Sequence, residues 1–134
     1  MNDSLYHEKL LALAKTRQDD APLSGATIRI RRDNPLCGDS VELSAQTAAG
    51  QIRRLAQRTR GCVLCEAATA QMMRLAANAD TAHLRALCEN AEKMFADDAP
   101  APEFAMFAPV AAHPARHECV LLPFHALAEI LAEL

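Results

Sequence analysis

The chain has 134 residues, a formal net charge of −3 and 23% charged residues, which is the composition of an ordinary globular domain. It contains no apolar run close to the roughly 20 residues that a membrane span needs, and its first ten residues lack the basic-then-apolar order of a secretory signal. We therefore expect a single domain, residues 1–134, that is cytoplasmic and has no membrane partner.

The charge is distributed unevenly along the chain. Residues 29–60 carry seven basic and three acidic side chains, whereas residues 62–134 carry four basic and ten acidic ones. The basic stretch is compatible either with an acidic partner or with strands whose arginines face solvent. Nucleic acid is not an expected partner, because aromatic residues are only 4% of the chain and do not alternate with the basic ones.

The first predicted element is a helix over residues 4–15, where leucines recur at helical intervals. Ser4 and Glu8 suit the start of this helix. Residues 18–26, QDDAPLSGA, contain Asp, Pro and Gly, and they predict a break after it.

Three strands are predicted next. Segments 26–33 and 40–46 alternate apolar and polar residues, as half-buried strands do, and segment 51–61 does so more weakly. The connections at 34–39 and 48–50 are short. Neighbouring strands joined by short turns pair antiparallel, so we expect an antiparallel sheet.

The pattern after the strands is helical. Segments 62–78 and 80–95 predict two helices, and residues 96–114 are a Pro-rich insertion expected to be extended or partly helical. Segment 115–134 predicts a last helix, in which Pro123 requires a kink or a late helix start. The order predicts an α+β domain, a small three-stranded antiparallel sheet with helices packed on one face.

The connection 34–39, NPLCGD, places a cysteine and an aspartate two residues apart. Pro35 fixes its backbone φ angle and Gly38 permits a conformation that other residues avoid, so the segment predicts a defined bend that projects Cys37 and Asp39 outward, as metal ligands require. The alternative is a plain turn in which Asp39 bonds backbone amides and Cys37 has no role.

The chain has five cysteines, and in a reducing compartment free thiols serve metals or reactions before disulfides. Cys62 follows a glycine where strand pattern changes to helix pattern. The helix dipole together with Arg58 and Arg60 is therefore expected to lower its pKa. Cys65 completes a lone C-x-x-C, which fits a redox pair, half of a zinc ribbon or chance.

The remaining thiols lie in predicted helices. Cys88 shares a helix face with Leu84 and Phe95 and is expected to be buried and inert. Cys119 lies near the start of the last helix. His117, two residues before it, is either a further ligand or a solvent-facing helix residue.

Three cysteine blocks in order resemble a known family. NPLCGD, then RGC opening a helix that contains MM, then HPARHECVLLPFHAL, are similar to the U-type iron–sulfur cluster assembly scaffolds, the family of IscU, SufU and the N-terminal domain of NifU. The resemblance extends from about Tyr6 to Leu131. Within this family the chain is most similar to the SufU type, because it has Glu118 in place of histidine before the last cysteine, and the PAR string. It also lacks an LPPVK-like chaperone-recognition string, so an Hsp70-type chaperone is not expected as a partner.

The resemblance implies a SufE/NifU-like fold and a site of three cysteines and one aspartate, formed by Cys37, Asp39, Cys62 and Cys119. Such a site would hold zinc or a transient iron–sulfur cluster, of the [2Fe-2S] type, with the hard carboxylate as the weak ligand. It implies a cysteine desulfurase as partner and downstream iron–sulfur acceptor proteins. Cys37 and Cys119 are the alternatives for the reactive thiol that carries sulfur.

Four functions stay open on this reading. The first is a cluster scaffold and sulfur carrier, and the second is a zinc-dependent sulfurtransferase that stimulates the desulfurase. The third is a thiol-redox protein that uses Cys62 and Cys65. The fourth is a purely structural zinc module, which would not unfold cooperatively without its metal. Cys65 stands where the family commonly has serine, so it could compete for metal, relay sulfur or form a disulfide with Cys62.

Overall fold

The computed structural model describes residues 7–96 and 100–134. Its helices are α1 (Glu8–Lys15), α2 (Val63–Ala76), α3 (Thr81–Lys93) and α4 (His117–Ala132). Its strands are β1 (Ile28–Asp33), β2 (Ser40–Ala48) and β3 (Gln51–Arg60). The predicted α+β class is confirmed. Ser4, expected at the first helix start, lies outside the described residues, and the residue that caps α1 is His7.

The three strands form one antiparallel sheet in the order β1-β2-β3. On β2, Val41, Leu43 and Ala45 are fully buried, because alternate side chains of a strand point to one face and that face lies against helices. Helix α4 packs on β1 and β2, and α2 contacts β3 and α4. The outer face is exposed in part: Glu42 is exposed, whereas Ser44 and Ala56 are buried.

Arginines occupy much of that outer face. Arg31 on β1 and Arg58 on β3 are both exposed, and Glu42 of β2 lies between them in the register. The arginines of the basic stretch thus face solvent, with acidic and basic side chains opposite each other across the strands, and an acidic partner stays an open alternative.

The free edge of β3 is covered by the segment that follows α1. The amides of Gln57 and Thr59 donate to the carboxylates of Asp20 and Asp19, each at 3.0 Å. Sheet edges left open invite pairing with other chains, and these two carboxylates close this one. They also fix the end of β3 from which the chain enters α2.

The C-terminal part departs from regular α-helix only where proline is frequent. Of the predicted insertion, the structure describes a 3₁₀ helix over Pro102–Ala112, and residues 97–99 lie outside the described part. Helix α4 begins at His117 and continues through Pro123. Because Pro123 has no N–H, the carbonyl of Cys119 receives no helical hydrogen bond from it. Among the described residues, no helix is long and apolar enough to cross a bilayer.

Candidate functional site

The NPLCGD bend connects β1 to β2 as predicted and is held by its own backbone. Gly38 has a positive φ of 78°, and its amide and that of Cys37 both donate to the carbonyl of Asn34. Cys37 is exposed at the tip of the bend. Asp39, in contrast, is only 3% exposed, so the expectation that it also projects outward is wrong.

Asp39 turns inward because it satisfies the start of helix α2. Its Oδ1 accepts the backbone amide of Cys62 at 2.9 Å, and its Oδ2 lies 3.5 Å from the Cys62 sulfur. A carboxylate at a helix N-terminus is stabilised by the unpaired amides and the helix dipole. The alternative of a plain turn, in which Asp39 accepts a hydrogen bond from a backbone amide, is thus correct in part. Among the described residues Oδ2 accepts no backbone amide, so it could bind a metal ion.

Gly61 makes that approach possible. A Cβ atom at this position would lie 2.9 Å from Asp39 Oδ1 and 2.9 Å from the Cβ of Cys65. No side chain fits in that space. This role of Gly61 was not predicted from the RGC string. The feature of the sequence that indicates it is a glycine immediately before the cysteine that starts the helix.

Cys119, in the first turn of α4, completes the cluster. Its sulfur is 3.5 Å from that of Cys37, although the two residues are 82 positions apart. Ligand atoms of Cys37, Asp39 and Cys119 all lie within 4.8 Å of one another. Cys62 is not part of that mutually close trio, but its contact with Asp39 places it beside the trio.

Burial governs the acidity of these thiols. Burial raises the pKa of Cys62, and the carboxylate of Asp39 adds to this. The Cys65 amide at the start of the helix lowers it, but not enough, so the expected net lowering by the helix start, Arg58 and Arg60 is wrong. Both arginines are exposed on the outer sheet face. Burial, with the nearby Cys62, likewise raises the pKa of Cys119. Without metal, Cys62 and Cys119 therefore favour the neutral thiol.

Two other cysteines lie apart from this chemistry. Cys88 is 8% exposed, burial raises its pKa to about 12, and its thiol donates to the carbonyl of Phe124, so the prediction of a buried, inert thiol is confirmed. Cys65 is fully buried in the first turn of α2, and burial raises its pKa. A thiol-redox pair needs an accessible thiolate, and Cys65 does not offer one.

His117 lies outside the group of mutually close ligand atoms, and its side chain is half-buried rather than solvent-facing. Its ring stacks on Phe95 with centroids 4.2 Å apart, and its Nε2 lies 3.1 Å from the carbonyl oxygens of Val110 and Ala111. The histidine ties the start of α4 to the preceding 3₁₀ helix. It thereby helps to fix the turn that carries Cys119.

Solved structures with the same fold are found by structural comparison. One is the N-terminal part of a nitrogen-fixing NifU-like protein from Brucella abortus, with a TM-score of 0.88 and 25% identity over 96% of this chain and 93% of that one. Another is a putative iron–sulfur cluster assembly scaffold protein for the SUF system from Fervidobacterium islandicum AW-1, with a TM-score of 0.84 and 24% identity over 95% and 96%. No family model matches the chain, and no curated protein matches it significantly.

These neighbours confirm the resemblance to the U-type iron–sulfur cluster assembly scaffolds. The fold is that of the NifU-like N-terminal domain, and the SufU type is among the structures that share it.

Proposed function

We propose that this protein is an iron–sulfur cluster assembly scaffold that accepts sulfur from a cysteine desulfurase. It holds a transient cluster or a metal ion at Cys37, Asp39, Cys62 and Cys119. The observation that carries the proposal is the 3.5 Å approach of the Cys37 and Cys119 sulfurs beside the carboxylate of Asp39. The two neighbours whose names describe a NifU-like protein and a SUF-system scaffold support it.

The donor set fits a thiophilic metal. Tetrahedral zinc with Zn–S bonds of about 2.3 Å separates two ligating sulfurs by about 3.8 Å, close to the 3.5 Å between Cys37 and Cys119. Cys62 and Asp39 would supply the other two positions. Bound zinc would keep these sulfurs deprotonated despite their burial, because metal binding displaces thiol protons.

The exposures of the thiols separate their roles. Cys37 is exposed and can meet a persulfide carried by another protein, whereas Cys119 is fully buried. In the transfer, the Cys37 thiolate attacks the outer sulfur of the donor persulfide. A new S–S bond forms on Cys37, the donor S–S bond breaks, and the donor cysteine leaves as a thiolate, so no external oxidant or reductant is needed.

Asp39 is a ligand suited to release of the bound cluster or metal ion. A carboxylate oxygen is a harder and weaker ligand for iron or zinc than a thiolate. Its Oδ1 stays bonded to the amide of Cys62, so exchange at Oδ2 leaves the side chain in place. A downstream acceptor protein would therefore take the cluster by first replacing this ligand.

Reconstitution under anaerobic conditions tests the scaffold function. The protein is mixed with iron, cysteine and a desulfurase, and we expect visible sulfur-to-iron charge-transfer absorption. Cys37→Ala, Cys62→Ala and Cys119→Ala should each abolish it. Cys88→Ala, which removes a buried thiol outside the cluster, is the matched control. Equal cluster yields from all four variants would refute the assignment.

A zinc-dependent sulfurtransferase is the second candidate function, favoured by the exposure of Cys37 beside a fitting zinc donor set. It requires the zinc-loaded protein to stimulate desulfurase turnover when no iron is present. Metal analysis of protein purified without oxygen identifies the resident ion. Stimulation that persists after zinc removal would exclude this candidate.

A further inference from the structure

Asn34 organises the NPLCGD bend from a buried position, with 1% of its surface exposed. Its Oδ1 accepts the amide of Leu36 at 3.1 Å, and its carbonyl accepts the amides of Cys37 and Gly38. The backbone amide of Asn34 donates to the backbone carbonyl of Asp39 at 2.7 Å. This is an Asx turn that fixes the loop.

The side-chain amide nitrogen of Asn34 has a different neighbour. Since Oδ1 is held by the Leu36 amide, Nδ2 must point the other way, and it lies 3.9 Å from the sulfur of Cys119. Buried amide hydrogens need an acceptor, and Cys119 supplies one. Asn34 therefore links the loop that carries Cys37 to the helix that carries Cys119.

The contact distinguishes Cys119 from the other cysteines of the cluster. The Cys37 sulfur is at the exposed tip of the bend, and the Cys62 sulfur faces the carboxylate of Asp39. An N–H···S hydrogen bond strengthens when the sulfur becomes a thiolate, because the acceptor is then charged. Because a metal-bound sulfur is a charged acceptor, this contact would help to orient Cys119 as a ligand.

We propose that Asn34 is a positioning residue that orients the sulfur of Cys119 toward the metal site through an N–H···S hydrogen bond. Of the proposed function, this requires only that the cluster thiolates bind metal. The bond withdraws electron density from the sulfur, so its removal should move sulfur-to-metal charge transfer to lower energy and weaken metal binding roughly tenfold, as for other groups that orient a metal ligand.

Cobalt(II) binding to the apo protein under anaerobic conditions tests this. Asn34→Ser retains a short acceptor for the Leu36 amide but removes the amide donor, and Asn34→Asp retains the size and the acceptor while replacing the donor by oxygen. We expect both to shift the near-ultraviolet sulfur-to-cobalt band to lower energy and to lower cobalt affinity. Asn90→Asp, an isosteric change at an exposed position of α3, should do neither.

Wild-type band energy and affinity in both Asn34 variants would overturn the inference. If neither variant folds cooperatively, NMR of the wild-type protein loaded with ¹¹³Cd tests the inference instead. A scalar coupling between ¹¹³Cd and the Asn34 side-chain amide proton supports the bond, and absence of that coupling overturns it. A wild-type protein that binds neither cobalt nor cadmium would refute the proposed metal site itself, and this inference with it.

Discussion

Substitution of Gly61 by alanine should displace Asp39, and comparison with alanine at Gly50 should separate this effect from a general loss of stability. The added methyl group would lie 2.9 Å from Asp39 Oδ1 and 2.9 Å from the Cβ of Cys65, both closer than side-chain carbons approach. Cys65 is fully buried on α2 and cannot retreat at low cost. Asp39 must therefore move, and its hydrogen bond to the Cys62 amide is lost or stretched.

The cost follows from these two effects. Overpacking a buried site costs about 1–3 kcal/mol, and a hydrogen bond to a charged group contributes about 1.5–3 kcal/mol. Because the strain is relieved partly by breaking the bond, the two costs overlap. We expect Gly61→Ala to lower the free energy of unfolding by about 2–4 kcal/mol and to weaken zinc binding about 10- to 100-fold through displacement of Asp39.

Urea unfolding and zinc competition with a chromogenic chelator measure the two quantities. The matched control is Gly50→Ala in the β2–β3 hairpin, where φ is 74° and an added Cβ meets nothing within 4 Å. Backbone strain there costs about 1–2 kcal/mol. Because the hairpin lies at the end of β2 away from Asp39, zinc affinity should stay at the wild-type value. Wild-type zinc affinity in Gly61→Ala would refute the reasoning.

Three further outcomes are expected. Hydrogen bonds from the Thr59 amide and then from Arg17 lower the pKa of Asp19, so this carboxylate stabilises the fold above its unfolded pKa of 3.8, and the contribution is lost as pH falls through the folded pKa. Asp19→Asn should therefore flatten the loss of urea resistance below about pH 4, and a loss as steep as in the wild type would contradict this. Cys65→Ser should retain zinc stoichiometry and affinity, measured by the same chelator competition, and a loss of zinc would mean that Cys65 is a ligand. Removal of zinc should lower the free energy of unfolding by no more than ligand linkage requires, about 2.7 kcal/mol at a hundredfold excess over Kd, and calorimetry should still show cooperative unfolding. An apo protein without a transition would identify a structural zinc module instead.

The local pattern of apolar and polar residues was enough to predict the strands and the main helices. Alternation of apolar residues predicted β1 and β2, and Asp80 correctly marked the start of α3, where it caps the amide of His83. Element order then fixed the class, because strands joined by short turns have few ways to pair. Of the two alternatives for Pro123, a helix start after the proline is excluded, because α4 begins at His117 and includes it.

The amino-acid sequence by itself determined which atoms are available to the site: the sulfurs of Cys37, Cys62 and Cys119, and the bend that exposes the first of them. Only the tertiary structure decided how they are used. Asp39 points inward because an unpaired helix amide attracts it, and the Cys62 thiol is less acidic than its arginine neighbours suggested because burial and that same carboxylate oppose ionisation. Both burial and long-range contacts depend on how the helices pack on the sheet. The contact of Asn34 with Cys119, 85 residues away, is an example that the local spacing of residues could not predict.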